Sequence, residues 1–424
     1  MFAIRGRVPV YIVVLAASLW LSAPAAFAQQ RVPLTIAEAE DLAIAAEPGL
    51  EALLARADAM QERAVAAGQL PDPMLRVGLS NYPIQSGGFS TEGMTQAQVG
   101  VRQAFPRARE HSAAEKRAMG EAFDHNADAR RREVLTSARH AWLDVYLAEQ
   151  AWELVSESRP LFVDLLTVTR SLYGVGRKSQ HDVLSAELEL SRLDDRLIEI
   201  GRTRSEAQAA LSRWIGDDAY RPVAIKLPDW EAPPMLDDLR AGLAGHPLIA
   251  AAEAGVEASG AAVRVAEENK KPGWAVDLGY GYREGFQPNG DPRSDMVSLS
   301  VTVDLPFFSE NRQDRKLAAA LSDRRAATNS QAALRAQLGS ELDTEYARWT
   351  DLTRRLALYD TQILAQSEGR AQAALLAYQS DAGDFADVMR AWIDDLDARL
   401  QHIRLQVKRA QSYAVLANLG GLEQ

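Results

Sequence analysis

The chain repeats itself at a distance that fixes its architecture. Glu47-Pro48 and His246-Pro247 lie 199 residues apart, as do Pro73 and Pro272, Val77 and Val276, and Leu79 and Leu278. Phe105-Pro106 and Leu305-Pro306 follow at 200. Tyr173 and Tyr378 are each followed nine residues on by an Asp-Val pair, Asp182-Val183 and Asp387-Val388. Solenoid units repeat every 20–50 residues or about that. A period near 200 therefore marks a duplicated half.

Residues 1–28 have the pattern of a secretory signal. Arg5 and Arg7 form a charged start, residues 10–21 are apolar, and Ala26-Phe27-Ala28 is an A-x-A cleavage site. The apolar run is short for a membrane-spanning helix, and no later run is long enough. Cleavage near Gln29 removes two arginines and no acid, taking the formal net charge from −11 to −13. That balance argues against nucleic acid, which needs a basic stripe. The absence of cysteine excludes a lipid-modified N-terminal cysteine, a thiolate metal site and a cysteine nucleophile.

Long helices follow from the proline spacing and the apolar seams. No proline occurs in the 118 residues after Pro306. There Leu334, Leu338, Leu342, Tyr346, Trp349, Leu352, Leu356, Tyr359 and Ile363 recur at threes and fours. This predicts a helix over about 311–379, roughly 100 Å long at 1.5 Å per residue. A second seam runs Val388, Trp392, Leu396, Leu400, Ile403, Val407. In the first half Val134, Ala138, Ala141, Val145, Ala148, Trp152 and Val155 alternate by four and three. Leu135, Leu143, Tyr146, Leu147 and Leu154 lie off that seam, which predicts more than one helical neighbour. Pro160 interrupts this helix and is expected to bend it, not necessarily to end it. Residues 216–235, with four prolines, read as a linker between repeats 29–215 and 236–424.

Four strands are expected, at about 74–83, 95–105, 273–283 and 295–305. In the last, Val297, Leu299, Val301, Val303 and Leu305 alternate with polar residues. In the third, Trp274, Val276, Leu278, Tyr280 and Tyr282 do the same. Each is about 10 residues, enough for a tilted transmembrane strand. Val276, Leu278, Leu299, Val301 and Val303 are the expected lipid-facing residues, with Asp277 and Asp304 on the lumen side. A soluble sheet with one wet face gives the same alternation, but the export signal and the lack of any other compact β region favour a barrel. Four strands cannot close one, and open edges do not survive in lipid. Copies of the chain must then share a barrel: two give eight strands, three give twelve.

These segments resemble the TolC family of outer-membrane efflux channels along essentially all of the mature sequence. Leu70-Pro71-Asp72-Pro73-Met74-Leu75, Asn81-Tyr82-Pro83, Met94-Thr95 and Gln103-Ala104-Phe105-Pro106 look like its heavy-metal branch, the outer components of copper/silver or cobalt/zinc/cadmium exporters. The resemblance implies a mainly α fold with a β-barrel portion: a homotrimer whose twelve-stranded barrel sits in outer-membrane lipid of a Gram-negative bacterium. Long helical hairpins form a periplasmic tunnel that meets a periplasmic adaptor (a membrane fusion protein) and an inner-membrane pump of the resistance-nodulation-division type. Outer channels for drug efflux or type I protein secretion share the fold, and a soluble coiled-coil scaffold is the alternative from another class.

The resemblance also assigns the periplasmic tip to Tyr173, Gly176, Asp182, Tyr378, Asp384 and Asp387. It implies a contact between hairpins from Asp182 to Tyr378, and an acidic ring at Asp387. Asp381 stands where the family has glycine, and Arg390 where some members have a second acid. A second reading of Asp387 is a helix cap. No two of the six histidines are spaced i, i+4, so no zinc pair is expected. The methionines Met74, Met94, Met296 and Met389 read as packing, and Asp394, Asp395 and Asp397 as a solvated or lumen-facing surface. No catalytic motif, metal site or cofactor site is expected.

Overall fold

The structure is a computed structural model that describes residues 32–422 apart from Asp229, Glu231 and Asp381. The leader and its Ala26–Ala28 site lie outside the described residues. The first repeat runs α1 (Ile36–Ala45), α2 (Pro48–Gly68), β1 (Met74–Ser80), β2 (Gln96–Phe105), α3 (Arg109–Gly174) and α4 (Gln180–Ile215). The second runs α5 (Leu236–Leu243), α6 (Pro247–Glu268), β3 (Trp274–Tyr282), β4 (Met296–Val303), α7 (Gln313–Leu358), α8 (Leu364–Gln379) and α9 (Phe385–Gly420).

Matching residues start matching helices. Glu47 caps α2 by accepting from the Gly49 amide, and His246 caps α6 by accepting from the Leu248 amide. The proline after each sits at the first helical position, where a missing N–H is no loss. The strands fall in the expected windows and form one antiparallel sheet, ordered β1-β2-β3-β4. β1 is shorter than expected because Asn81 takes φ 54°, with its side chain donating to the Met94 carbonyl and its own carbonyl accepting from Thr95 Oγ1.

α3 runs 66 residues and continues past Pro160. Leu143 and Tyr146 are buried as well as Val134, Ala138 and Val145, because α1, α2, α4, α6 and α9 all pack on this helix. Trp152, expected on the seam, is 43% exposed. Residues 216–235 are more than a spacer. They open with a 3-10 turn, Gly216–Tyr220, and Ala219 and Val223 join the core around Trp142. Val223 also bridges Leu34 in parallel, and the Leu34 carbonyl accepts from Trp142 Nε1 at 3.0 Å.

The helix expected over 311–379 forms with a difference. α7 and α8 are joined by a π turn, Tyr359–Ile363. Burial shows what the turn does. Val134 and Leu338, Ala138 and Leu342, and Ala148 and Leu352 are buried pairs 204 residues apart. Beyond the turn the offset is 205, from the buried pair Leu166 and Ala371 to the tip tyrosines. The second repeat carries one extra helical residue, and the π turn absorbs it. The seam therefore stays on one face on both sides.

Candidate functional site

The register sorts the sheet into two faces. Leu75, Val101, Leu278 and Leu299 form one cross-strand row, and Val77, Val99, Tyr280 and Val297 the next. Val276, Val301 and Val303 lie on this same face, so the five expected lipid-facing residues come together. Leu278 is 56% exposed, Leu299 71% and Val301 61%, with nothing described covering them. Arg76, Arg102, Asp277, Ser298 and Ser300 occupy the opposite face. There Arg76 reaches Asp277 at 3.6 Å. β1 and β4 each leave one edge unpaired among the described residues. No described helix is long and apolar enough to cross a membrane.

The far ends of the helical hairpins pack on each other. Phe162, Leu165 and Leu166 of α3 meet Tyr378 of α8 and Phe385, Val388 and Met389 of α9 in one buried cluster. In the first tip, Gly176 turns the chain at φ +74°, a conformation that favours glycine. Ser179 then starts α4 with a complete capping box. Its hydroxyl accepts from the Asp182 amide, and the Asp182 carboxylate accepts from the Ser179 amide at 3.0 Å.

The second tip has the same elements and different chemistry. Tyr378 is 2% exposed and meets Phe385 edge-on at 5.6 Å. Lys178 Nζ lies 4.5 Å from the centre of the Tyr378 ring. The Tyr378 hydroxyl is buried and has no hydrogen-bond partner among the described residues. The implied contact from Asp182 to Tyr378 is thus not made within a protomer, because Ser179 already holds the Asp182 carboxylate. Asp384 precedes α9 but its side chain caps nothing. Asp387 occupies the first turn and pairs with Arg390 at 3.2 Å, both exposed. It makes no cap. A Ser179-like hydroxyl is missing here, and two carboxylates cannot form the reciprocal pair.

Of the assigned tip residues, Tyr378 is in the packed cluster. Tyr173 is 48% exposed, and Gly176, Asp182, Asp384 and Asp387 sit at the turns and helix starts around it. No group of His, Asp or Glu that could hold a metal occurs among the described residues. Sequence reading passed over Lys178, whose only signal is its place between the Tyr173 turn and the capping box.

Comparison with known proteins agrees with this architecture. A family model described as "Outer membrane efflux protein" matches residues 239–422, the second repeat. Protein CyaE of Bordetella pertussis is 27% identical over 297 residues, which cover 66% of this chain and 61% of CyaE. The match thus spans less than two thirds of that relative. The outer membrane protein VceC of Vibrio cholerae superposes with TM-score 0.76 at 17% identity, covering 91% of this chain and 96% of VceC. CusC, described as undergoing conformational changes that accompany folding and transmembrane channel formation, gives TM-score 0.72 at 14% identity, with 91% and 92% covered. Residues 239–422 thus match the outer membrane efflux protein family model, and the fold of the chain is that of VceC and CusC.

Proposed function

We propose that the chain is the outer-membrane exit duct of a tripartite export system and works as a homotrimer. The observation that carries this reading is the two-faced sheet with both edges open. Its apolar face suits lipid, its polar face suits a water-filled lumen, and unpaired edges cannot remain in hydrocarbon. Three copies supply twelve strands and close the barrel. The paired hairpins continue it as a periplasmic tunnel that docks a periplasmic adaptor and, through it, an inner-membrane pump. Heavy-metal cations are the proposed cargo, supported by the family resemblance of residues 70–83 and 94–106.

Two experiments test the reading. Mass measurement of the native complex in detergent should give three chains, and a stable monomer with full β content would overturn it. Val301→Arg should cost about 2–4 kcal/mol if it lies near the bilayer midplane, and Thr302→Arg far less. Equal assembly yields contradict the assigned faces. For the cargo, loss of the gene should sensitise cells to copper, silver, cobalt, zinc or cadmium. Unchanged metal tolerance with lost secretion of a protein, or with drug sensitivity, points instead to type I secretion or drug efflux.

A further inference from the structure

We propose that the cavity where the polar face of the sheet meets the helices is an oxyanion site, suited to a phosphate group. Its position in the lumen rests on the channel reading above; its chemistry does not. The cavity has a volume of about 540 Å3 and is lined by Arg102 of β2, Arg107, Asp304, and Arg312, Gln313 and Lys316 at the start of α7.

The charges there do not balance. Arg107 donates to Asp304 at 2.9 Å and to the carbonyls of Asn269 and Lys271. Those bonds neutralise Asp304, the carboxylate of the lining. Arg102, Arg312 and Lys316 have no carboxylate partner among the described residues. Three cations thus line one cavity whose own carboxylate is already paired, and Asp277, across from Arg102 in the sheet, is engaged by Arg76 at 3.6 Å. Such a cluster repels itself unless a counter-ion joins it.

A second observation points into the same cavity. Arg102 Nε is shut off from water and meets no acceptor, and Gln313 Oε1 is shut off from water and meets no donor. Unsatisfied buried polar atoms destabilise a fold, the more so when charged. One ligand answers both needs. A phosphate supplies acceptors for the guanidinium forks of Arg102 and Arg312 and a charge for Lys316. In its singly protonated form it also supplies a donor for Gln313. α7 starts here without a side-chain cap, so the positive end of a 46-residue helix adds to the attraction.

A bound phosphate changes what the duct does with cations. Unoccupied, the cluster opposes their passage at the base of the barrel. Occupied by singly protonated phosphate, its three positive charges fall to about one, and cations pass more readily. Phosphate can come free from solution or as the headgroup of a phospholipid, and the test separates the two.

The full-length protein in phosphate-free detergent is titrated calorimetrically with sodium phosphate, with dihexanoyl phosphatidylglycerol, and with sodium chloride. Saturable phosphate binding is expected. It should weaken at least tenfold in Arg102→Gln and in Arg312→Gln, and stay unchanged in Arg170→Gln, which alters the tip. Binding of the lipid alone, lost in the same two variants, supports the same chemistry with the headgroup as source. Arg312→Gln lies outside the strands and guards against misfolding of Arg102→Gln. Heat of binding that is equal for chloride, or equal in wild type and both variants, overturns the proposal. In planar bilayers, phosphate should raise the cation-to-anion permeability ratio of the wild type. A protein that binds phosphate but never conducts contradicts the channel reading and leaves the site standing.

Discussion

Tyr173 and Tyr378 end matching helices of the two repeats, yet the first is 48% exposed and the second 2%. The difference runs through the whole tip. The first tip carries Arg177 and Lys178 and closes with a capping box of Ser179 and Asp182. The second carries Asp381, Asp384 and Asp387 and has no side-chain cap. One hairpin therefore holds its end by local hydrogen bonds. The other holds its end by burying Tyr378 and Phe385 against the neighbouring hairpin. Duplication supplied two copies of one motif that now differ: the first tip closes with its own capping box, and the second, which has none, places Tyr378 and Phe385 in the cluster between hairpins. Of the two, the second is the element that a change of packing between hairpins would release.

The π turn separates the repeats most sharply, and single-residue deletions test it. Removing Gln362 from the turn should restore an ordinary helix and leave the seam in place, with folding and assembly close to wild type. Removing Glu157 from α3, which has no such turn, rotates every residue beyond it by about 100°. Phe162, Leu165 and Leu166 would leave the buried cluster. Loss of the folded tip is expected, seen as rapid proteolysis near residues 174–180. Equal protease resistance of the two deletions would show that the extra residue is not what the turn absorbs.

Next in size is the tyrosine pair. Tyr378→Ala should destabilise by about 3–5 kcal/mol, as for a buried aromatic, and Tyr173→Ala by no more than about 0.5 kcal/mol, as for an exposed residue. Denaturant unfolding measures both. Tyr378→Phe is the control: its hydroxyl has no partner among the described residues, so its removal should be neutral or stabilising. A large loss in Tyr378→Phe would mean that the hydroxyl is bonded in the assembled protein, as the family resemblance implies for Asp182.

Much of this was legible in the sequence, for definable reasons. Strand faces follow from period-two alternation, and the register merely aligned Val301 with Val276 and Trp274 with Phe105. Helix lengths follow from proline spacing. The π turn left no local mark, since one added residue in a proline-free run changes neither composition nor propensity. Its trace is the growth of the repeat offset from 200 to 205, most of which lies before α7. The box at Ser179 and Asp182 did carry a local signal, a hydroxyl three residues before an acid at a helix start. The oxyanion cavity carried none, because Arg102 and Arg312 are brought together from opposite repeats.

The caps give a smaller and more exact comparison. Ser179→Ala should cost about 1 kcal/mol by removing an N-cap acceptor. Asp384→Ser should gain a few tenths to about 1 kcal/mol, by letting Asp387 reach back as Asp182 does. Thermal unfolding of each variant reads the shift. No gain in Asp384→Ser would mean that the pair Asp387–Arg390 outcompetes the box.

The smallest expected effect sets Glu47 against His246, the N-caps of α2 and α6. Glu47 is tied by its carboxylate to Arg130 at 3.2 Å. His246 is 3% exposed, with its Nδ1 taken by the Leu248 amide and Asn418 beside the ring. Burial, helped by the charge of Arg132, pushes the His246 imidazole below its usual 6.5. The sign follows from linkage. As pH falls below 6.5, the unfolded chain takes up a proton that the folded chain refuses until its own lower value is reached. Stability contributed by neutral His246 is therefore complete above 6.5 and is lost as pH falls through that window. His246→Asn keeps a capping acceptor and removes the titration. Between about pH 8 and about pH 5, the unfolding midpoint of the wild type should fall further than that of His246→Asn. Parallel curves would place the pH sensitivity elsewhere and leave the two caps equivalent.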